Sequence, residues 1–296
     1  MSSATLLLLF FFDLYTLVTV LYALGCAQSL GHVFLVPCGK WAEREWGRGD
    51  WGGAPLPLLG YARSTEIAAY ALSVSLAVAW FVVSLGEGAQ DVTFYWVMQD
   101  VFGLSLCVLF LSTVRLPSLR VACYLLLAAF LYDIFFVFLT PLIFEKSVMI
   151  HVATGGDGPT TDPQVCEKYP STDGCRVPNP LPMLFSIPRI NDYRGGSSLL
   201  GLGDIVLPGL LMSLARRIDL SDTIKGRKDR SKPPYFPVLC CCYALGLMMA
   251  NVGVIVMEQG QPALMYLVPM TLGGFFWVAR RRGEVREVFL GKDVIW

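Results

Sequence analysis

The sequence predicts an all-α polytopic membrane protein, a bundle of about seven to eight transmembrane helices. Three observations support this prediction. The chain is 55% hydrophobic and only 16% charged, whereas a soluble globular domain carries about 25% charged residues. Apolar runs long enough to cross a bilayer recur along most of the chain. Lys and Arg are concentrated in alternate loops between these runs, as the positive-inside rule requires of a multispan protein.

The first apolar run, residues 4–36, is too long for one helix across a hydrocarbon core about 30 Å thick, since each residue adds about 1.5 Å. We predict that Asp13 marks a turn between a partial span and a full one. The alternative is one tilted helix with Asp13 at the lipid headgroups. The later runs each fit one span, and together they form one membrane-embedded domain over residues 1–296. The predicted spans cover residues 4–12 (partial), 14–36, 65–85, 94–114, 119–144, 197–215, 235–257 and 262–279.

The loop charges predict how these spans are oriented. Segments 86–93 and 258–261 contain no Lys or Arg, whereas the segments that alternate with them are basic and are expected in the cytosol. This arrangement places the C-terminus in the cytosol and the long loop 145–196 on the lumenal side. The basic segments are 37–63, 115–118, 216–234 and the cytosolic tail 280–296.

Cysteine and histidine are distributed in a way that argues against a metal site. Nine cysteines occur without a CxxC pair and only two histidines are present, so neither a metal nor another cofactor is expected. The lumenal loop contains Cys166 and Cys175, and we predict a disulfide between them, the alternative being two free thiols. A formal net charge of zero argues against nucleic acid as a partner.

Two aspartates lie inside predicted spans, where an ionised carboxylate costs of order ~3 kcal/mol. Asp133 and Asp204 belong to consecutive long spans that run in opposite directions. Counting about 1.5 Å per residue from the lumenal ends puts them ~15 and ~10 Å below the same surface, so they can meet. Depth alone also permits a pair between Asp100 and Asp204.

Two carboxylates a few Å apart in a low dielectric cannot both ionise, and the pair would share one proton. One then acts as general base on a water while its protonated partner polarises a peptide carbonyl, which is the aspartic-protease arrangement. Intramembrane acids equally suit an ion-coupled transporter or a structural polar network. On spacing alone these alternatives stay open.

Three short motifs accompany the acids. Tyr132 directly precedes Asp133. Gly201, Leu202 and Gly203 directly precede Asp204, and glycines there leave room for another backbone. The last span opens with Gln261, Pro262, Ala263 and Leu264. A proline at a helix start leaves upstream backbone unpaired within the helix, and such backbone is tolerated at membrane depth only where it lines a cavity or meets another chain.

At these positions the chain resembles the signal peptide peptidases and their relatives, the intramembrane aspartyl proteases, whose YD, GxGD and QPAL motifs occur here in order on separate spans. It is most similar to the signal peptide peptidase-like subgroup. Presenilins share the motifs but differ in orientation, and a lumenal loop between the two spans suits signal peptide peptidases. The resemblance covers about residues 4–280 and implies the presenilin/signal peptide peptidase-like fold.

The resemblance also implies a function. Asp133 and Asp204 would be the catalytic pair, and Asp100 a non-catalytic acid. Substrates would be transmembrane proteins of type II orientation or signal peptides, cleaved in an endomembrane compartment (ER, Golgi or endosome/lysosome). Tyr132, Gly201–Gly203 and Gln261–Leu264 would shape the substrate site. Relatives have nine spans, so this chain is expected to be N-terminally truncated. The oligomeric state stays open, a homo-oligomer included, and so does an inactive binding homologue.

Overall fold

A computed structural model of the chain describes residues 15–46, 53–56, 60–84, 93–139, 183–188, 197–224, 232–257 and 261–290. The chain divides into two compact units. Unit 1 comprises Met1–Phe110 and His151–Leu202, and unit 2 comprises Leu111–Ile150 and Gly203–Trp296. Asp133, Asp204 and the Gln261–Leu264 segment all belong to unit 2, whereas Asp100 belongs to unit 1.

Among these residues, four helices and two small antiparallel sheets begin in the first part of the chain and the segment before Asp204. They are α1 (Tyr15–Leu30, followed by a π-helical turn over Gly31–Leu35), α2 (Val36–Trp46), β1 (Gly53–Leu56), β2 (Gly60–Arg63), α3 (Ser64–Ser84), α4 (Thr93–Thr113), β3 (Leu184–Pro188) and β4 (Ser197–Gly201). β1 pairs with β2, and β3 pairs with β4.

The remaining described elements are helical. They are α5 (Leu119–Ile134, followed by a π-helical turn over Phe135–Leu139), α6 (Leu202–Ile224), α7 (Tyr235–Met257), α8 (Leu264–Arg282) and the short α9 (Val285–Leu290). α8 ends at Gly283, whose φ of 74° lies in the left-handed region that glycine adopts without a Cβ penalty.

Membrane-spanning helices are confirmed. Five helices among the described residues are long and apolar enough to cross a bilayer: Leu17–Trp41, Ser64–Ser84, Tyr95–Thr113, Leu119–Leu139 and Tyr235–Met257. Large apolar side chains also point outward, for example Leu131 on α5 (63% exposed) and Ile255 on α7 (75% exposed). Such a surface would be unfavourable in water and is suited to lipid.

Three predicted boundaries differ from the structure. Helix continues from α1 through Pro37 to Trp46, where the sequence predicts a loop, because a π-helical turn just before the proline accommodates the missing N–H. Residues 197–201 form a strand, and the following helix α6 extends beyond 215 to Ile224. α8 begins at Leu264 rather than at 262. The partial span 4–12 and most of the loop 145–196 lie outside the described residues.

Unit 1 is held by aromatic stacking and by hydrogen bonds between its helices. The fully buried Trp80 ring stacks on Tyr95 with centroids 5.5 Å apart. The hydroxyls of Ser29 and Ser105 are hydrogen-bonded at 2.8 Å, and Tyr22 donates to the carbonyl of Gln99 at 3.3 Å. Short polar side chains of this kind join helices in membranes, where the hydrophobic effect does not drive helix association.

Unit 2 is built around one largely aliphatic cluster to which each of its described helices, α5 to α9, contributes. Representative members are Leu126 of α5, Leu211 of α6, Leu239 of α7, Phe275 of α8 and Val288 of α9, none more than 1% exposed. Close packing of these side chains fixes the helices that carry the sequence motifs.

Candidate active site

Asp133 lies in the last turn of α5 and is 5% exposed. Its Oδ2 atom is buried and makes no hydrogen bond with any atom in the part of the chain that the structure describes. The π-helical turn Phe135–Leu139 follows almost at once, and such turns occur frequently at functional sites. A buried carboxylate oxygen without a partner is costly and requires a functional explanation.

Tyr132 precedes this aspartate and is half-buried. Its ring lies against that of Phe136, with centroids 4.6 Å apart. Its hydroxyl is also buried and has no hydrogen-bond partner among the described residues. Two successive residues of α5 therefore each retain hydrogen-bonding capacity that a water or a substrate can use.

Asp204 lies in the first turn of α6 and is half-buried. Gly203 beside it is exposed, and a Cβ built there would meet no described atom within 4 Å. The glycine thus borders open space, and the close approach of another helix that the sequence suggested is not seen at this position within the described ranges.

The strand before α6 has a defined polarity. Leu202 N–H donates to Met183 O at 3.4 Å, and Leu184 lies opposite Gly201. In an antiparallel pair, bonded and non-bonded positions alternate, so the main-chain groups of Leu184 and Gly201 point away from the strand-strand interface. Gly201 lies at the end of β4, and Leu202 begins α6.

A residue that the sequence analysis missed fixes the outer edge of β3. Gln99 is 3% exposed, and its Nε2 donates to Leu184 O at 2.8 Å. That edge of the sheet is therefore occupied by α4. The other edge belongs to β4, with which no further strand pairs among the described residues. A glutamine within an apolar span was the available signal, because a buried amide needs partners.

The segment Gln261–Leu264 leads into α8. Pro262 and Leu264 are buried, and Ala263 precedes the helix. Pro262 O accepts from Met265 N at 3.2 Å, and Ala263 O accepts from Tyr266 N at 3.1 Å. The side chain of Gln261 accepts a hydrogen bond from the Tyr266 hydroxyl through Oε1.

These three segments border the same buried cluster of unit 2. Phe130, one turn before Asp133, packs against that cluster, as do Val206 and Leu207, which follow Asp204 within one turn. Leu264 is itself a member of it. Asp133, Asp204 and the Gln261–Leu264 segment are thus each next to side chains of one core. Cys166 and Cys175 lie outside the described residues.

Comparison with known proteins gives the family. The family model described as signal peptide peptidase matches residues 1–294. The chain is 36% identical to Signal peptide peptidase-like 3 of Oryza sativa subsp. japonica, over 98% of this chain and 50% of that protein. It is 35% identical to Signal peptide peptidase-like 3 of Arabidopsis thaliana, over 97% of this chain and 48% of that protein.

A human relative agrees with these matches. Signal peptide peptidase-like 2B of Homo sapiens is 33% identical over 95% of this chain and 44% of its own length. The chain thus spans about half the length of the curated relatives it matches. No solved structure matches the chain. The chain is an integral membrane protein that belongs to the signal peptide peptidase family.

Proposed function

We propose that this chain is an intramembrane aspartyl endopeptidase that hydrolyses peptide bonds within transmembrane segments, with Asp133 and Asp204 as its catalytic pair. The observation that supports this most is the buried Oδ2 of Asp133, unpartnered in the described part of the chain, on a helix whose core contacts are shared with the helix of Asp204. Membership of a protease family supports the same conclusion.

The proposed mechanism uses one proton shared between the two carboxylates. Asp204 lies at the N-terminal turn of α6, where the helix dipole stabilises negative charge. We therefore assign the charge to Asp204 and the proton to Asp133. Asp204 removes a proton from a water that attacks the peptide carbonyl carbon, while Asp133 donates a hydrogen bond to the carbonyl oxygen. The tetrahedral intermediate then collapses as a proton passes to the leaving nitrogen.

A transmembrane substrate must unwind before its peptide bond is accessible. The free edge of β4 offers a place for an extended segment, because strand addition satisfies backbone groups that would otherwise be unpaired in lipid. β4 ends at Gly201, shortly before Asp204 in the chain. We assign Tyr132, Gly203 and Pro262–Leu264 to the walls of the cleft, with the open space beside Gly203 as room for substrate.

We further propose that the substrates are type II membrane proteins or signal peptides, and that the chain resides in the endomembrane system with its C-terminus in the cytosol. The alternating basic loops support this orientation. Substrates of either kind present a transmembrane helix that reaches the lumenal half of the bilayer, where both aspartates are expected.

The test is cleavage of a reporter membrane peptide by the full chain in lipid nanodiscs. Asp133→Ala and Asp204→Ala should each abolish cleavage while the protein still accumulates at the wild-type level. Asp100→Asn, which alters an intramembrane acid of unit 1, is the matched control and should retain cleavage. Wild-type rates in either the Asp133 or the Asp204 variant would reject the pair. Ion-coupled uptake in liposomes that withstands aspartyl-protease transition-state analogues would instead support a transporter.

A further inference from the structure

The end of α7 and the start of α8 are joined by hydrogen bonds through the side chain of Gln261. Its Oε1 accepts from the hydroxyl of Tyr266 on α8. Its Nε2 donates to the sulfur of Met257, the last residue of α7. Both ends of one carboxamide are thus bound, and we call Met257, Gln261 and Tyr266 the amide clip.

Tyr266 holds the segment before α8 in two ways. Its N–H donates to Ala263 O at 3.1 Å, and its hydroxyl donates to Gln261. Pro262 lies between these two contacts and has no N–H with which to hold itself. The position of the buried Pro262 ring therefore depends on contacts made by its neighbours, and Tyr266 provides one on each side.

Gly253 on α7 is what allows the tyrosine hydroxyl into this position. A Cβ built on Gly253 would lie 2.6 Å from the Tyr266 hydroxyl oxygen, 3.0 Å from Gln261 Oε1 and 3.1 Å from Tyr266 Cζ. Contacts of 2.6 Å to a Cβ do not occur without displacement of one partner, and the hydroxyl cannot move without weakening its bond to Gln261.

Glycine at 253 is thus matched to a tyrosine at 266. The same pair of helices is close at Gly246, where a Cβ would lie 3.3 Å from the Leu267 backbone. Gly273 on α8 differs, because a Cβ there would meet no described atom within 4 Å. The chain therefore contains both a constrained glycine and an unconstrained one on this helix pair.

We propose that Gly253 and Tyr266 are positioning residues that hold the Gln261–Leu264 segment where it meets the substrate, and so determine which peptide bond is cut. This inference rests on the proposed function, because it takes Gln261–Leu264 as a wall of the substrate cleft. Neither residue is assigned contact with the reacting atoms. Their effect is on the register of the bound segment.

The experiment uses the full chain in nanodiscs and a reporter membrane peptide with a photoreactive leucine at its cleavage site. The variants are Gly253→Ala, Tyr266→Phe, the double variant and Gly273→Ala as the matched control. Two readouts are mass spectrometry of the residues that the photoreactive leucine labels, and the distribution of cleaved bonds. A purely structural role would change neither readout at equal folded fraction, which thermal unfolding measures in parallel.

Gly253→Ala and Tyr266→Phe should each lower labelling of Gln261–Leu264 about fivefold, the effect of losing one hydrogen bond, and spread cleavage over neighbouring bonds. The double variant should match Tyr266→Phe, because the phenyl ring lacks the oxygen that a Cβ at position 253 would strike, and both changes remove the same contact. Gly273→Ala should behave as wild type.

Multiplied effects in the double variant, about 25-fold, would overturn the inference. So would unchanged labelling and cleavage positions accompanied only by a lower unfolding temperature, or a wild type that never labels Gln261–Leu264. These outcomes are separable from failure of the catalytic pair. If Asp204→Ala still cleaves, the proposed mechanism fails, whereas the labelling pattern continues to decide the role of Gly253 and Tyr266.

Discussion

Two carboxylates of unit 2, Asp219 and Asp133, are largely removed from water, and they differ in how that cost is met. Asp219 accepts hydrogen bonds from the first-turn N–H groups of Tyr235 and Phe236 at 3.0 and 2.8 Å, and pairs with Arg282 at 2.9 Å. Asp133 has a buried oxygen with no hydrogen bond in the described part of the chain.

The Asp219 region is a complete network. The Arg282 side chain is 7% exposed, pairs also with Asp222 at 2.6 Å, donates to Pro233 O at 2.9 Å and lies 4.2 Å from the Tyr235 ring centroid. The network joins the ends of α6 and α8 to the start of α7. A satisfied acid of this kind stabilises the fold, whereas an unsatisfied one costs stability and is retained for chemistry.

The largest expected effect separates the two acids. Asp133→Asn should lower the cleavage rate about 10³-fold, because an amide cannot exchange the proton that general acid–base catalysis requires. The unfolding temperature should not fall, since no hydrogen bond to the buried oxygen is lost. Reporter cleavage and thermal unfolding in detergent are the measurements. A stability loss as large as that of an Asp219 variant would show that Asp133 has a structural role.

Asp219→Ala should have the opposite profile. Removing one partner of a buried pair leaves Arg282 and two helix N–H groups without an acceptor, and the free energy of unfolding should fall by about 3 kcal/mol. Cleavage per folded molecule should remain. Asp219→Asn, which keeps one acceptor, is the graded control and should lose less. An unchanged unfolding temperature in the alanine variant would contradict the assignment of the network to stability.

Arg282→Lys should have an intermediate effect on stability, about 1–2 kcal/mol, because a single ammonium cannot reproduce the planar fork that contacts Asp219, Asp222 and Pro233 together. Denaturant unfolding compares it with Arg280→Lys, an exposed arginine on the same turn. Equal stability of the two variants would show that charge alone, rather than geometry, matters at position 282.

The smallest effect is expected at the solvent edge of the network. Lys232 pairs with Glu284 at 3.0 Å, but its side chain is 40% exposed. Screening by water reduces such a pair to less than about 0.5 kcal/mol. Lys232→Ala should therefore leave the unfolding temperature nearly unchanged, and a loss comparable to that of Arg282→Lys would mean that the network extends further toward solvent.

The sequence predicted the apolar helices and the acids because both depend on local composition. It could not predict the strand over Ser197–Gly201, since an apolar run of this length is compatible with either helix or strand until its partner is known. That partner, Leu184–Pro188, lies outside the run. The same limit hid Gln99, whose role depends on a carbonyl 85 residues away in the chain.

Helix α6 shows the limit for charged residues. Hydropathy ended the span at 215, yet the helix continues to Ile224 because Asp219 and Asp222 find their partner on α8. A pattern of single residues does not record such a distant ion pair. The motif residues were found by resemblance, whereas the amide clip required the contacts between α7 and α8.

The most direct test of the central claim is the distance between the Asp133 and Asp204 carboxylates in an experimental structure of the chain bound to a transition-state analogue. We predict hydrogen-bonding distance, or a separation bridged by one water or by the hydroxyl of the analogue. A separation of more than ~10 Å, with Asp100 closer to Asp204 than Asp133 is, would contradict the proposed catalytic pair.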